Sequence, residues 1–258
     1  GGGAARTALH QRMFALLLRY KAIHGHGFQA AAGPGVFKSL HKHTGAALEC
    51  FASPLNCYFL RFCSAFPDVD APFGSAGSFF GAAFAPKHGS FQANPPFVPA
   101  LMDAAVDKMD EALKRANSSG AALGFTVIVP GWAETRCWQD LSSSAHLTAS
   151  VTVAAADHGF RDGASHQRKD PYRASPYDTG VFVLQSKVEA KRKRVDKEAF
   201  ETDVRAAFAA CVPTVAAAKR QGRGKEDKKG GDDKGKPKRA SSSWPGKEPG
   251  VFYKKRKP

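Results

Sequence analysis

Apolar residues at helical spacing predict the longest helix near the middle of the chain. It covers residues 98–116, where apolar side chains recur every three or four positions and Pro99 suits the first turn. Similar spacing predicts helices in three further segments, which are residues 10–43 with a glycine-rich break, residues 56–66, and a segment beyond Lys191 that carries Phe200, Val204 and Phe208.

Short runs of β-branched and aromatic residues predict the strands. Residues 125–130, with the sequence Phe-Thr-Val-Ile-Val-Pro, predict a buried strand. Weaker signals of the same kind lie at residues 46–52, 89–93, 147–154 and 180–184. Residues 68–89, rich in glycine and phenylalanine, predict a loop. Since strands and helices alternate along the chain, the sequence predicts an α/β fold.

Charge divides the chain near residue 187. Residues 187–258 hold 22 basic and 10 acidic side chains, so they carry +12 of the formal net charge of +15. We expect an N-terminal helical segment (1–45), a core (46–186), a C-terminal helix (187–218) and a tail (219–258). The tail is charged and rich in glycine, so we expect it to be disordered and to attract polyanions.

Composition argues against a membrane protein and against a metal or disulfide scaffold. The longest apolar runs are far shorter than the ~18 residues that a membrane span needs. The five cysteines form no Cys-x-x-Cys pair and no cluster with histidine at zinc spacing. We therefore expect no metal site, and buried, reduced thiols in an intracellular protein.

The segment Asn94-Pro95-Pro96-Phe97 carries the most specific chemistry. The prolines fix two φ angles and remove two amide donors, so the Asn94 side chain and the Pro95 carbonyl are held as rigid acceptors. Two such acceptors can hold both N–H bonds of an adenine amine and localise the nitrogen lone pair toward a methyl donor. Phe97 can stack on the base. A plain turn after a strand is the alternative interpretation.

A second segment is suited to a nucleotide cofactor. It follows residues 46–52, where a strand–loop–helix unit would place its first turn, and the small side chains of Ala52 and Ser53 let the backbone approach a ligand. Because the segment lacks a Gly-x-Gly pattern, this evidence alone is weak.

Together these segments resemble the phosphorylated-CTD-interacting factor family of cap-specific adenosine methyltransferases. The resemblance extends over about residues 12–185. It is carried by residues 49–59 (Glu-Cys-Phe-Ala-Ser-Pro-Leu-Asn-Cys-Tyr-Phe), 63–68 (Cys-Ser-Ala-Phe-Pro-Asp), 73–75 (Phe-Gly-Ser), 89–97 (Gly-Ser-Phe-Gln-Ala-Asn-Pro-Pro-Phe), 101–104 (Leu-Met-Asp-Ala) and 128–132 (Ile-Val-Pro-Gly-Trp).

The resemblance implies a Rossmann-like class I methyltransferase domain: a mainly parallel sheet with helices on both faces and an antiparallel edge strand. It implies S-adenosylmethionine as cofactor. The methyl acceptor would be N6 of the 2′-O-methyladenosine beside the 7-methylguanosine cap at the 5′ end of mRNA. In the family, the segment matching Asn94, Pro95, Pro96 and Phe97 binds cofactor and adenine, and the tryptophan matching Trp132 contacts capped RNA. The cofactor pocket would also include Ala52, Ser53, Pro54 and Asn56.

Two departures from the family bear on the substrate. Pro99 stands where animal members have a glutamate that contacts substrate, and the sequence lacks their WW signature and most of their helical domain. An adenine-N6 methyltransferase for other RNA or DNA, and an inactive cap- or RNA-binding relative, are therefore the alternatives. Binding to the phosphorylated C-terminal domain of RNA polymerase II would need a part absent from this sequence.

Several polar residues outside these segments are weaker candidates. Lys87 and Arg136 are candidates for contact with RNA, and a surface turn explains each of them equally well. Asp68 and Asp70 fit a solvated turn better than a contact with a cofactor ribose. The basic runs at residues 191–194, 236–239 and 254–257 suit nuclear-localisation or RNA-tethering signals, so we expect a nuclear protein.

Overall fold

The chain is built around a mixed four-stranded sheet with helices packed on it. The computed structural model describes residues 2–22, 30–162 and 169–214. Within these ranges the helices are α1 (Gly2–Ala22), α2 (Pro34–Thr44), α3 (Pro67–Asp70), α4 (Pro99–Ser119), α5 (Arg136–Ser142), α6 (Lys187–Arg192) and α7 (Lys197–Ala209). The strands are β1 (Ala30–Ala31), β2 (Gly89–Ala93), β3 (Leu123–Pro130), β4 (Leu147–Val153), β5 (Gly159–Asp162), β6 (Tyr172–Ala174) and β7 (Thr179–Gln185).

The larger sheet has the strand order β2-β3-β7-β4. β2 pairs in parallel with β3, whereas β7 runs antiparallel to both β3 and β4. β2, β3 and β4 therefore point the same way, and β7, which is buried along its whole length, lies between two of them. β1, β5 and β6 form a separate antiparallel sheet of three short strands.

Three short extended segments continue the larger sheet beyond β2. Glu49 bridges Gln92 of β2 on one side and Phe62 on the other, and Phe62 bridges Ser75; all three bridges are parallel. A hydrogen bond from the Cys50 N–H to the Gln92 carbonyl, at 2.7 Å, supports the pairing with β2. The order across the sheet is thus Ser75, Phe62, Glu49, β2, β3, β7, β4. Of these seven segments, β7 alone runs against the others.

Helices cover both faces of the larger sheet, as predicted. On one face, Phe125, Val127 and Val129 of β3 pack with apolar side chains of α4 and α5. On the other face, Ile128 of β3 and alternate residues of β4 and β7 pack with α2 and α7. The pleat of a strand sends successive side chains to opposite faces, so one buried strand serves both cores.

The predicted helix at residues 56–66 is wrong. The chain there makes turns and then becomes extended at Phe62. The buried carboxylate of Glu49 accepts hydrogen bonds from the backbone N–H groups of Tyr58 and Phe59, at 2.6 and 2.9 Å. These bonds satisfy two backbone donors of the turn, and the chain beyond it is held extended by the bridges of Phe62 to Glu49 and Ser75. The aromatic residues pack elsewhere, with Tyr58 stacked on Phe37 of α2 at 4.8 Å.

Two expectations about the sheet also need correction. The antiparallel strand is not at an edge, because β7 is inserted between β3 and β4. Residues 46–52 pair through the bridges at Glu49 without forming a regular strand. By contrast, β2, β3, β4, β7, α4 and α7 confirm the predicted elements to within a few residues.

Some expectations concern residues that the structure does not describe. The predicted tail (219–258) lies wholly outside the described ranges, and the predicted domain boundaries stay predictions. Among the described helices, none is both long and apolar enough to cross a membrane. All five cysteines are free thiols, and Cys57 is the one that is not buried.

We expect Gly180→Ala to destabilise the fold by about 1–3 kcal/mol, because the new methyl group would overpack the core. A Cβ at Gly180 would lie 2.5 Å from the Trp138 ring and 2.6 Å from the Phe182 ring, where α5 packs on β7. The matched control is Gly35→Ala, whose Cβ would lie 3.8 Å from its nearest neighbour. Urea denaturation measures both variants, and equal midpoints would contradict this packing.

Candidate functional site

Loops from distant parts of the chain meet at the carboxyl ends of β2, β3 and β4. We call this end of the larger sheet the Asn94 edge. Asn94 directly follows β2 at this edge. Because β7 runs the opposite way, the turn that precedes it, at Tyr177, reaches the same edge. The extended residues around Glu49, the Glu49 segment, lie beside β2 and run parallel to it. The loop that follows them, residues 52–56, therefore lies next to Asn94. The two segments singled out in the sequence are therefore neighbours.

The side chain of Asn94 is held in one orientation. Its Nδ2 donates a hydrogen bond to the carbonyl oxygen of Ala30, in β1, at 2.8 Å. Since a carbonyl only accepts, Nδ2 must face β1 and Oδ1 must face away. Oδ1 is buried and has no hydrogen-bond partner among the described residues. A buried acceptor without a partner is unfavourable by about 1–3 kcal/mol, and a catalytic role is one reason for keeping it.

The two prolines carry the chain from Asn94 into α4. Pro95 is buried and Pro96 is exposed. The Pro96 carbonyl accepts a hydrogen bond from the Val98 N–H at 2.7 Å, directly before α4 begins at Pro99. Neither Pro95 nor Pro96 has an N–H, so the loop that follows β2 offers acceptors and no backbone donors at these positions.

Phe97 lies in a cluster of aromatic rings with Trp132 and Tyr177. The ring centroids of Phe97 lie 6.4 Å from Trp132 and 5.9 Å from Tyr177, and Trp132 and Tyr177 are 5.5 Å apart. All three side chains are half-buried. The ring of Phe160 in β5, which is fully buried, lies 6.3 Å from the Phe97 ring, centroid to centroid. The structure thus brings together two predicted residues, Phe97 and Trp132.

Tyr177 was missed by the sequence reasoning. It lies between Pro176 and Asp178, in a stretch that has the composition of an ordinary turn. Only the antiparallel insertion of β7 brings this turn to the edge where β2 and β3 end. Burial raises the pKa of Tyr177, so its hydroxyl stays protonated at neutral pH.

The expected cofactor loop is a turn closed by its own side chains. Asn56 Oδ1 accepts hydrogen bonds from the Ser53 N–H at 2.8 Å and from Ser53 Oγ at 2.9 Å. Ser53 is buried, whereas Ala52 and Pro54 are half-buried. Asn56 therefore uses its oxygen to shape the turn. Since no helix follows the turn, the helix N-terminus of a strand–loop–helix unit is missing here.

The buried carboxylate of Glu49 binds the backbone that follows this turn. It is 3 % exposed, and Oε1 accepts from the N–H groups of Tyr58 and Phe59. Burial raises the pKa of Glu49 from its ordinary 4.5 to about 7, although the two N–H groups favour the charged form and limit the rise. The sequence signal was a single acidic residue inside the apolar run at residues 46–52, and we assigned it no role.

Asp70 is a second buried carboxylate near the turn, and the solvated-turn interpretation is wrong for it. It is fully buried, and its Oδ2 accepts from the Tyr20 hydroxyl of α1 at 2.6 Å. Its Oδ1 is buried and has no hydrogen-bond partner among the described residues. Burial and the neighbouring carboxylate raise the pKa of Tyr20. Asp68, by contrast, is exposed and forms an ion pair with Arg19 at 3.0 Å.

Of the other two predicted substrate-binding residues, Lys87 is not brought to this edge, and Arg136 is already paired with carboxylates. Lys87 is exposed and lies before the start of β2, at the opposite end of the strand from Asn94. Arg136 starts α5, and its guanidinium forms ion pairs with Asp107 of α4 and Asp140. Within the described ranges, no group of three or more side chains could hold a metal ion.

We expect Glu49→Gln to change how stability depends on pH. A carboxyl group whose pKa is raised by folding favours the folded state at low pH, so its contribution is lost as pH rises from about 4.5 to about 7. Glutamine keeps an acceptor for the two N–H groups and does not titrate. Glu49→Gln should therefore gain stability relative to the wild type across this range and gain no more above it.

Urea denaturation between about pH 4 and about pH 8 measures this difference. Glu198→Gln, at an exposed position on α7, is the matched control and should show no such trend. A difference between Glu49→Gln and the wild type that does not vary with pH would show that folding does not raise the pKa of Glu49.

Comparison with known proteins shows the family of the chain. A family profile described as the phosphorylated CTD interacting factor 1 WW domain matches residues 3–163. The human and mouse proteins named mRNA (2'-O-methyladenosine-N(6)-)-methyltransferase are each 38% identical to the chain over 185 residues. The match covers 68% of this chain and 26% of each relative, so the chain spans about a quarter of their length. The chain belongs to the phosphorylated CTD interacting factor 1 family.

Proposed function

We propose that this chain transfers a methyl group from S-adenosylmethionine to N6 of adenine in RNA, at the adenosine beside the 5′ cap. The observation that carries the proposal is the Oδ1 atom of Asn94, a buried acceptor with no partner among the described residues. It lies at the sheet edge where the aromatic cluster and the loop at residues 52–56 also meet.

Asn94 and Pro95 would orient the amine of the substrate. The N6 nitrogen of adenine is a poor nucleophile because its lone pair is delocalised into the ring. The Asn94 oxygen would accept one N–H, and the Pro95 carbonyl would accept the other. Both bonds would favour a tetrahedral nitrogen, whose lone pair could attack the methyl carbon. The S–CH3 bond would break as the N–CH3 bond forms, the thioether would leave, and the methylated nitrogen would then lose one proton to solvent. This contribution is orientation and electrostatics, and it needs no strong base to begin the reaction.

Ala30 has a part in this mechanism through its carbonyl oxygen. Without the bond from Nδ2 to Ala30, the amide of Asn94 could turn and present a donor to the amine, which would repel its N–H bonds. The small sheet of β1, β5 and β6 thus sets the orientation of the reactive side chain.

The aromatic cluster would hold the base. Phe97, Trp132 and Tyr177 are half-buried and meet at interplanar angles of 72°, 69° and 73°, so they form a corner of ring faces. A flat base can stack on one face and meet the edge of another ring. Unstacking the base into such a corner costs little at the end of an RNA strand.

The strand order supports a Rossmann-like class I fold and a cofactor site at the point where that order reverses. Numbered along the chain, the parallel segments stand in the spatial order 3-2-1-4-5-6, with antiparallel β7 between the last two. In doubly wound sheets of this order, ligands bind beyond the carboxyl ends of the strands where the order reverses. That point lies between the Glu49 segment and β2, beside Ala52, Ser53 and Asn94. S-adenosylmethionine bound there would supply the electrophilic methyl group.

Asp70 is the residue that best fits the cofactor ribose. An acidic residue about 20 positions after the first turn binds the ribose hydroxyls in many nucleotide-binding sheets. Asp70 follows Ser53 at a similar spacing, and its free Oδ1 can accept from a hydroxyl. Pro54 and Asn56 would complete the turn around the cofactor.

The substrate assignment rests on the relatives. Both curated proteins are named for methylation of 2′-O-methyladenosine in mRNA. We propose the same substrate here and, since mRNA is capped where it is made, a nuclear location. The family description names the phosphorylated C-terminal domain as a partner. We propose the same partner for this chain, bound through a part of the protein that this sequence lacks.

We expect Asp70→Asn to weaken binding of S-adenosylmethionine about tenfold, because a hydroxyl would lose its bond to a charged acceptor. Asparagine can still accept from the Tyr20 hydroxyl, so the fold should persist. Asp68→Asn is the matched control, since Asp68 is exposed and two residues away. Titration calorimetry measures both variants, and equal affinities would remove Asp70 from the cofactor site.

We expect Asn94→Ala and Asn94→Asp to lower methyl transfer by about 10²–10³-fold, through loss of a fixed acceptor. Aspartate cannot donate to the Ala30 carbonyl, so it should not restore activity. The assay follows labelled S-adenosylmethionine onto a short RNA that begins with 7-methylguanosine and 2′-O-methyladenosine, with the uncapped RNA alongside.

The outcomes separate the candidate functions. Label on N6 of the capped RNA only, lost in both Asn94 variants, is the expected result. Label on both RNAs would keep the methyltransferase and discard the cap assignment. RNA binding without label or cofactor affinity would point to an inactive binding relative.

A further inference from the structure

A surface rich in lysine and arginine lies at the opposite edge of the larger sheet from Asn94. β7 starts at the Asn94 edge and ends at this other edge, where α6 follows directly. Ser186 fixes the junction, because its N–H donates to the carbonyl of Leu123, at the start of β3, at 2.8 Å. From Lys187 to Lys197 the chain holds six basic and two acidic residues.

Most of these cations have no acidic partner among the residues that the structure describes. Arg192 forms an ion pair with buried Glu189 at 2.8 Å. Within the described ranges no ion pair involves the other five, of which all but half-buried Lys193 are exposed: Lys187, Lys191, Lys193, Arg194 and Lys197. The nearby acid Asp196 uses Oδ1 to cap α7, through the N–H groups of Glu198 and Ala199. The unpaired positive charge is therefore concentrated and faces solvent.

Lys87 belongs to the same surface. It is exposed and precedes β2, and Ser90 of β2 donates to Glu189 of α6 at 3.1 Å. The start of β2 and α6 are thus joined at this edge. We call the set the basic edge; its members are Lys87, Lys187, Lys191, Lys193, Arg194 and Lys197.

The chemistry of the basic edge suits a phosphate backbone better than a protein partner. From Ser186 to Lys197 the chain has no aromatic residue, and its one exposed large apolar side chain is Val188, at 38%. Protein interfaces are anchored by aromatic and apolar residues, whereas phosphates need only cations and polar groups. A surface depression of about 640 Å³ offers both through Thr148, Gln185, Arg194 and Lys197, although Asp196, which caps α7, and Glu198 also line it.

We propose that the basic edge binds the backbone of the same RNA whose 5′ adenosine occupies the Asn94 site. This inference rests on the proposed function. β3 has eight residues and runs from one of these edges to the other. At about 3.3 Å per residue, roughly 25 Å separate the two edges. A stacked strand advances about 3.4 Å per nucleotide, so a stacked RNA of about eight nucleotides spans this distance.

The test compares two triple variants of the full chain. The first is Lys191→Gln, Arg194→Gln and Lys197→Gln, which removes three unpaired charges from the basic edge. The matched control is Lys114→Gln, Arg115→Gln and Arg205→Gln, which removes the same charge from residues paired within their own helices. Binding of fluorescent capped RNAs of about four and about twenty nucleotides is measured over a range of salt concentrations.

We expect the first triple variant to bind the long RNA about tenfold more weakly or worse. Its plot of log affinity against log salt should be less steep by about two, at about 0.7 for each lost phosphate contact on a single strand. Binding of the short RNA and of S-adenosylmethionine should not change. In the methylation assay, KM should rise for the long RNA only, with kcat unchanged.

Two results would overturn the proposal. One is wild-type affinity of the first triple variant for the long RNA, which would assign the binding to other parts of the chain. The other is an equal loss in the control variant, which would reduce the effect to net charge. The binding series does not depend on turnover, so a chain without methyltransferase activity would defeat the proposed function and still leave the basic edge testable.

Discussion

The parallel pairing of the Glu49 segment with β2 is the contact on which the site depends. Two short backbone bonds make it, from Cys50 N–H to the Gln92 carbonyl at 2.7 Å and from Gln92 N–H to the Leu48 carbonyl at 2.8 Å. Parallel strands end at the same edge, so this pairing alone places the turn at Ser53 beside Asn94. The strand order also reverses at this point, and the crevice that such a reversal opens is where a nucleotide cofactor would fit.

The site differs from the core in how its buried polar atoms are satisfied. In the core, the carboxylate of Glu49 is used by two backbone N–H groups. At the site edge, Asn94 and Asp70 each have one polar atom bonded and one oxygen without a partner among the described residues. In each case the bonded atom fixes the direction of the free one. This is the arrangement expected of preorganised groups, whose desolvation is repaid only when a ligand arrives.

The two edges of the sheet have different chemistry. The Asn94 edge offers aromatic faces and neutral acceptors, which suit a flat base and an uncharged amine. The basic edge offers unpaired cations, which suit phosphates and carry no information about the base. With this division, one edge of the sheet would recognise the terminal nucleotide, and the other would bind the backbone of the RNA that follows it.

The sequence by itself determined the elements whose pattern is strong, and it pointed to the candidate site whose residues are contiguous. β3 and α4 were predictable because a sustained apolar pattern over eight or more residues is typical of a buried strand or an amphipathic helix. Asn94, Pro95, Pro96 and Phe97 were predictable because they form one rigid loop. The prediction for residues 56–66 failed because aromatic spacing cannot show that Phe62 will pair as an extended segment with the distant residue Glu49.

Only the tertiary structure decided what depends on contacts between distant residues. The insertion of β7 between β3 and β4 brought Tyr177 to Phe97 and Trp132, and no local pattern encodes strand order. The bond from Asn94 to Ala30 fixed which amide atom faces the site. Asp70 was predicted to lie in a solvated turn, but it is buried and is a candidate for binding the cofactor. The sequence could not show this, because burial is set by packing and not by the residue itself.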